Sequence, residues 1–459
     1  MRVGLDWGTT NTSATIYDGR RVRLLDLDPV NANPSVLRTA LFIGREGDVA
    51  LGRAAINRYT EGNVGREIEY QRTYIGEIAM TFAGVGTIRQ GIFVDTDANA
   101  PGRLFLSIKL ALSDPTYTST NVFGATWSVE ELIALTLKRI GERVHELTGE
   151  QIDEIVIGRP VHYATEERRD QIAIKRMRAA AELAGLRNVQ FLAEPTAAAL
   201  TYRRQSHRAQ HVLVFDFGGG TLDVTIMRIE PNGQREILAT DGVPVGGDLL
   251  DQRIVMGKLH PHFGAGAVLG PRRLPLPAFL LDHLEGWQSI VEMHNPKTLD
   301  IIDEAIRTGD KPQQLRALRA LVRENYGLPL YEMVEGTKRQ LSETTETTLS
   351  MHASAINFDE SLARWDFERL IGPDVRAVDA CLKRALSAAQ LDPREIDVVL
   401  RTGGSSRVPR FVRLLEETFG NDSLFDEGEG IFTSVASGLG AVFSDPHLRR
   451  QLADTGHLQ

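Results

Sequence analysis

The sequence predicts an α/β protein of two related lobes, each opening on an acidic β-hairpin. Val212–Val224 reads VLVFDFGGGTLDV: the apolar run Val212–Phe215 ends at Asp216, three glycines follow, and alternation resumes at Thr221-Leu222-Asp223-Val224. That is a buried strand, a tight turn and a returning strand. Residues 1–17, MRVGLDWGTTNTSATIY, repeat the pattern with Asp6, Gly8, Thr9 and Thr10, then alternate through Ala14 and Ile16. A third observation lies near the end, where the strand Ile396–Leu400 empties into Thr402-Gly403-Gly404-Ser405 ahead of a helix beginning near Pro409. Strand, glycine turn and helix in that order present backbone N–H groups to an anion.

The glycine turns suggest what the hairpins hold. Glycine admits positive φ and lets backbone N–H groups approach a ligand closely, and a run of such groups cradles phosphate. An ordinary hairpin turn is the alternative for GGG alone, but a second copy at the equivalent point of another half favours two lobes clamping one phosphate chain. Asp6 and Asp216, each ending its strand, would face that anion only through a cation or water.

Composition narrows the class. The chain has 459 residues, 42% of them apolar, enough for about three domains with real cores. A net charge of −9 and a pI near 5.7 argue against a nucleic-acid partner, whose signature is a basic face. Arg203-Arg204, Arg272-Arg273 and Arg449-Arg450 read as solvated surface. The one cysteine, Cys381, falls in a helical pattern with Val378, Leu382 and Ala385, so buried packing outweighs reactivity. The N-terminus enters a strand without a leader pattern, and no run reaches the roughly 18 apolar residues of a membrane span. The expectation is a soluble cytoplasmic protein with no membrane partner.

Along the chain, residues 31–126 are irregular and glycine-rich. Ser128-Val129-Glu130-Glu131 is a capping box opening a helix with Leu132, Ile133, Leu135 and Ile140 inward. Ile155–Ile157 is a short buried strand, and 166–184 a charged amphipathic helix stopped by Gly185. Val189–Leu192 reads as a strand, and Glu194-Pro195 as a helix start with proline at the first position. Polar residues 203–211 cross between lobes. Val245-Gly246-Gly247-Asp248 is another glycine turn. A proline-containing, then helical and charged segment fills 262–330. Helices follow at about 331–341 and 375–390, then one from Pro409 capped at Gly420, and a last one over 433–444 whose small residues allow close packing on the first lobe.

Four further stretches, VIGRPVHY (156–163), FLAEPTAAALTY (191–202), EGTKRQLS (335–342) and RTGGSSRVP (401–409), complete a set. With the two hairpins they resemble the actin-like ATPase superfamily, most closely the nucleotide-binding domain of the seventy-kilodalton heat-shock (DnaK-type) chaperones, in family order from residue 1 to about 441. The GRPV wording is similar to the short YegD-type members. The resemblance implies duplicated ribonuclease-H-like domains, each with an inserted outer subdomain. Lobe I is expected over 1–207 (outer part about 35–127) and lobe II over 208–431 (outer part about 247–375), with 432–459 returning to lobe I. It further implies ATP or ADP as ligand, Mg²⁺ with K⁺ as a further cation, and an unknown protein partner or client.

The resemblance also assigns site residues. Asp6 and Asp216 would hold hydrated Mg²⁺. Gly8, Thr9, Thr10, Asn11, Gly218, Gly219, Gly220 and Thr221 would hold the β and γ phosphates, with the turn Gly246-Gly247 beside them. Glu194, the glutamate of the EPT motif, would support hydrolysis by orienting water, which a carboxylate at a helix N-terminus can do. Asp223 matches a carboxylate near that water. Lys109 aligns with the lysine that contacts the γ-phosphate, the alternative being an ordinary surface lysine. Glu335, Lys338 and Ser342, with Arg339 beside them, match the adenosine-contacting helix; for Lys338 the alternative is a solvated helix face. Gly403, Gly404, Ser405 and Arg407 match the opposite wall, where a planar guanidinium can stack on adenine.

Three departures stand out. Asn11 replaces the aromatic residue that follows the first motif, and Phe432 stands where the family carries an acid. Only residues 442–459 follow Ala441, so the expectation is a chain without the peptide-binding domain. A slowly hydrolysing nucleotide switch leads the functional readings. A small-molecule kinase of the same superfamily and an ATP-dependent filament or scaffold are the alternatives.

Overall fold

A computed structural model describes residues 1–82, 86–164, 166–202, 207–425 and 433–459, with the side chains of 73–82 and 86–96 excepted. Arg203-Arg204, part of the polar segment 203–211, and Phe432 lie outside the described residues.

Two mixed sheets share one wiring. In the first, Arg2–Trp7 runs between an antiparallel partner, Asn11–Tyr17, and a parallel one, Glu154–Arg159; Val22–Leu24 and Val189–Ala193 lie outside these. In the second, Gln210–Phe217 runs between antiparallel Leu222–Ile229 and parallel Val398–Thr402, with Arg235–Val243 and Leu424–Phe425 outside. Both central strands are covered on both faces, which is why Val3, Leu5, Val212, Leu213, Val214 and Phe215 form unbroken apolar runs. The acid that ends each run, Asp6 or Asp216, emerges where the hairpin turns. Asp216 lies opposite Asp223 on one neighbour and Thr402 on the other.

The glycines of the second hairpin correct one expectation. Gly218, Gly219 and Gly220 keep out of the positive-φ region, so dihedral freedom is not what selects them. Close approach is: a Cβ on Gly219 would lie 1.9 Å from Thr10 Oγ1 of the first hairpin.

The helix Ser434–Ser444 wedges between the first sheet and the helix Glu194–Thr201. A Cβ at Gly438 would stand 1.8 Å from the Ala197 carbonyl oxygen, and Thr15 Oγ1 donates to Ala436 O at 2.7 Å. Small residues thus allow the expected close packing. Ser128 and Glu131 form the expected capping box, on a helix Val129–Thr148. Pro195 is the second helical residue, because Glu194 already belongs to the helix. Cys381 is buried, and burial pushes its thiol up to about 12. Arg449 is not free surface: it pairs with Glu154 and bonds to Gln190, whereas Arg272 and Arg273 are exposed.

Residues 31–126 hold more order than their pattern announces. A three-stranded sheet (Val49–Leu51, Ala40–Gly44, Gly102–Leu106), the helix Gly52–Asn63 and a long hairpin (Tyr70–Phe82, Gly86–Asp97) lie there. These elements face the helices of 279–343 across the mouth of the cleft. Gly65 N–H donates to Glu324 O at 2.9 Å, Asn325 Nδ2 donates to Asn63 O at 3.2 Å, and Tyr59 packs edge-on against Trp287. Leu328 enters a core cluster with Phe42, Ile56 and Tyr59. Among the described residues no helix is long and apolar enough to cross a membrane.

Candidate functional site

The two hairpins face each other across a cleft of about 600 Å³. Its floor carries four carboxylates, Asp6, Glu194, Asp216 and Asp223, and one ammonium, Lys109. Lys109 sits in a short 3₁₀ turn and reaches Glu194 Oε1 at 2.7 Å, with both side chains largely buried. It is therefore no ordinary surface lysine. Burial works against its charge, but Glu194, Tyr163 and Asp6 outweigh burial and hold the ammonium protonated.

Four acids cannot all ionise beside one cation. Burial first, then the charge of Glu194, pushes Asp6 up to about 7. Asp216 rises well above the carboxylate range through burial and the charges of Glu194, Asp223 and Asp6. Asp223, which accepts a bond from Thr221 Oγ1 at 3.0 Å, is pushed to about 6, mainly by burial. Such a site is short of positive charge. No group of three or more metal-ligating side chains stands among the described residues, so a cation here would take Asp6 and Asp216 with water and phosphate completing its shell. Thr10 Oγ1 is buried with no hydrogen-bond partner and lines the same cleft. The donor set fits a hydrated divalent cation and a phosphate chain.

One wall is built by the helix Gly327–Glu343. Lys338 is buried, donating to Gly247 O and Asp251 Oδ2, both at 2.8 Å, so the solvated-face alternative fails. Glu335 accepts from the two terminal guanidinium nitrogens of Arg38 at 3.1 Å and from Arg339 at 2.5 Å. Burial would raise its pKa, but Arg38, Arg339 and Lys338 together outweigh burial and hold it at about 2. Ser342, Gly403, Gly404, Ser405 and Arg407 line the cleft, and Ser405 Oγ donates to Gly218 O at 2.8 Å.

Every expected site residue therefore lines this cleft save one. Gly246 lies behind the wall, where a Cβ would strike the Gly219 carbonyl oxygen at 2.2 Å; it supports the turn from behind. The structure adds Arg38, Arg53, His162, Tyr163 and Asp248 to the lining. Pro160, His162 and Tyr163 fall in the GRPVHY stretch, so a motif pointed there. Arg38 and Arg53 come from the irregular region, where no spacing marked them.

The geometry defines a two-lobed α/β fold with an acid-lined cleft between the lobes. The family model described as Hsp70 protein matches residues 2–262 and 323–427. The chain belongs to the Hsp70 family. It is 26% identical over 429 residues to "Chaperone protein DnaK" of Thermus thermophilus, covering 92% of this chain and 57% of that protein. With "Heat shock 70 kDa protein BIP3" of Oryza sativa subsp. japonica it shares 27% over 449 residues, covering 96% and 55%. The chain thus spans somewhat more than half the length of these relatives. The family match skips 263–322, within the segment expected to be an insert.

Proposed function

We propose that this chain is a Mg²⁺-dependent ATPase that converts nucleotide state into lobe closure, acting in a chaperone-like way on a protein partner. The observation that carries the reading is the pair of hairpins facing each other, with Asp6, Asp216 and the Lys109–Glu194 pair between them. Membership of the Hsp70 family and similarity to proteins named as chaperones support it. The lobe boundaries, 1–207 and 208–431, belong to the same reading.

In this account Thr9, Thr10, Thr221 and the backbone of Gly218–Gly220 grip the phosphates, while Lys338, Ser342 and Arg407 bracket the nucleoside. Mg²⁺ held by Asp6 and Asp216 through water would neutralise phosphate charge. Lys109 serves two anions: it holds Glu194 in place, and its ammonium stands ready for the terminal phosphate. Glu194 orients the attacking water and Asp223 lies close by. Positioning and charge carry most of phosphoryl transfer. Closing two lobes on a nucleotide turns a terminal phosphate into a hinge signal.

The test is phosphate release from Mg-ATP by the wild type and by Glu194→Gln. Slow turnover that falls about 100-fold or more in the variant, with ATP still bound, is expected. Equal turnover in both removes Glu194 from its role. Bound ATP with no phosphate release by the wild type would contradict the ATPase reading.

A further inference from the structure

Lys109 and Glu194 meet at 2.7 Å, but the chain supports the two very differently. Glu194 opens a helix directly after a buried strand. Lys109 rides on the short 3₁₀ turn Ile108–Ser113, a helix type with poor hydrogen-bond geometry. The chain enters that turn through Ser107 at φ 55°, a left-handed conformation unfavourable for a residue with a side chain. Such a conformation persists only where the surroundings impose it. Ile108 and Leu112, buried in the neighbouring core, pin one side of the turn. Its carbonyl end needs a separate hold.

Arg176 supplies it. This arginine projects from the helix Glu167–Leu183, is buried, and does not line the cleft. One terminal nitrogen donates to the carbonyl oxygens of Ala111 at 2.8 Å, Leu112 at 3.2 Å and Asp114 at 2.8 Å, while Nε lies 3.4 Å from Glu130 Oε1. Arg169, earlier on the same helix, donates to Ser113 O at 2.9 Å. Every carbonyl from Ala111 to Asp114 therefore meets a guanidinium. A helix end leaves such carbonyls without partners, and a cation there both satisfies them and offsets their negative end. Asp170 of the same helix accepts from Tyr163 N–H at 2.6 Å, and Tyr163 lines the cleft together with Lys109. A buried guanidinium is a costly way to fill space, and the hydrogen bonds of this one all fall on the segment that carries Lys109.

We infer that Arg176 is a positioning residue for phosphoryl transfer: it fixes the turn that carries Lys109 and, through that ammonium, holds Glu194 where water is to be oriented. Arg176 itself touches neither nucleotide nor water. The catalytic half of the inference rests on the ATPase reading, whereas the half that concerns Lys109 does not.

The test reads Lys109 directly. The whole chain without nucleotide is treated with a trace of acetic anhydride, and acetylation of each lysine is followed by peptide mass spectrometry. Only the free amine is acylated, so an ammonium paired with a buried carboxylate reacts slowly. Arg176→Ala should raise the rate at Lys109 at least about tenfold and leave the exposed Lys138 unchanged. Arg176→Lys keeps a cation near Glu130 and so spares the fold, but it has no fork to spread over the carbonyls; it should give a smaller rise. Phosphate release should fall about 10- to 100-fold in Arg176→Ala, with ATP affinity changed less than about threefold. No gain at Lys109 in either variant, or an equal gain at Lys138, overturns the positioning role whatever becomes of the ATPase reading. A gain at Lys109 with turnover intact overturns the catalytic half. Absence of phosphate release from the wild type overturns the ATPase reading and the catalytic half with it, and is told apart by the acetylation result, which needs no nucleotide.

Discussion

Replacing Gly219 by alanine tests whether the two hairpins work as a clamp. The added Cβ would lie 1.9 Å from Thr10 Oγ1 and 3.0 Å from Thr10 Cβ, where ordinary contact begins at 3.4 Å. Thr10 can rotate its hydroxyl aside, since that oxygen holds no hydrogen bond, but its Cβ cannot leave the backbone. Overpacking of this kind costs about 1–3 kcal/mol, or about 5- to 150-fold in affinity. The remaining Cβ contact places the expected loss near the lower end, about tenfold. Thr10 and Gly219 belong to opposite lobes, so the lobes can swing apart to relieve the clash. The cost then falls on closure around nucleotide and little on the melting temperature. Gly220→Ala is the internal control, because its Cβ meets only Thr9 Cγ2 at 3.7 Å and Leu110 at 3.9 Å. ATP titration of the three proteins by calorimetry decides the matter. Gly219→Ala binding as tightly as wild type, or Gly220→Ala binding worse than Gly219→Ala, would refute the argument.

The cleft mouth supplies two more tests. Arg38→Ala removes a two-pronged, half-buried bridge to Glu335, worth about 1–2 kcal/mol; stopped-flow release of a fluorescent nucleotide should quicken about 5- to 30-fold, and an unchanged rate would mean that the bridge does not restrain the lobes. His294 packs on Tyr70 and bonds Asn325 at 3.1 Å; burial lowers its pKa to about 4. The folded state binds this proton less readily than the unfolded chain, so its contribution is intact above about pH 6.5 and is lost as pH falls toward 4. Between pH 7 and pH 5 the wild type should lose on the order of 1–3 kcal/mol of stability relative to His294→Gln in urea unfolding, since the buried cleft acids shift both proteins alike; identical pH dependence in the two would contradict it.

Much of the site was legible because its demands are local. A strand buried on both faces must read as an apolar run, and an acid at its end with a glycine turn has few other uses; hence both hairpins could be placed from their residues, while Glu194 and the helix of Lys338 were placed by the resemblance of their motifs to the family. What escaped depends on partners distant in sequence. Lys109, placed in the site by the resemblance, carries no local pattern that separates it from a surface lysine, and its pairing with Glu194 is visible only in the fold. Arg38 lies far from Glu335 along the chain. The reason for Gly219 was also invisible, since the obstacle is a side chain of the other lobe. The outer hairpin, Tyr70–Phe82 with Gly86–Asp97, was missed because its strands alternate weakly and contain glycine.

The most direct test of the central claim is the affinity for ATP with and without Mg²⁺, measured on the wild type and on Asp6→Asn and Asp216→Asn. If the two hairpins share one cation and one phosphate chain, binding should tighten at least tenfold with Mg²⁺, and either substitution alone should abolish most of that gain. Equal affinity with and without Mg²⁺, or a gain that survives both substitutions, would contradict the clamp.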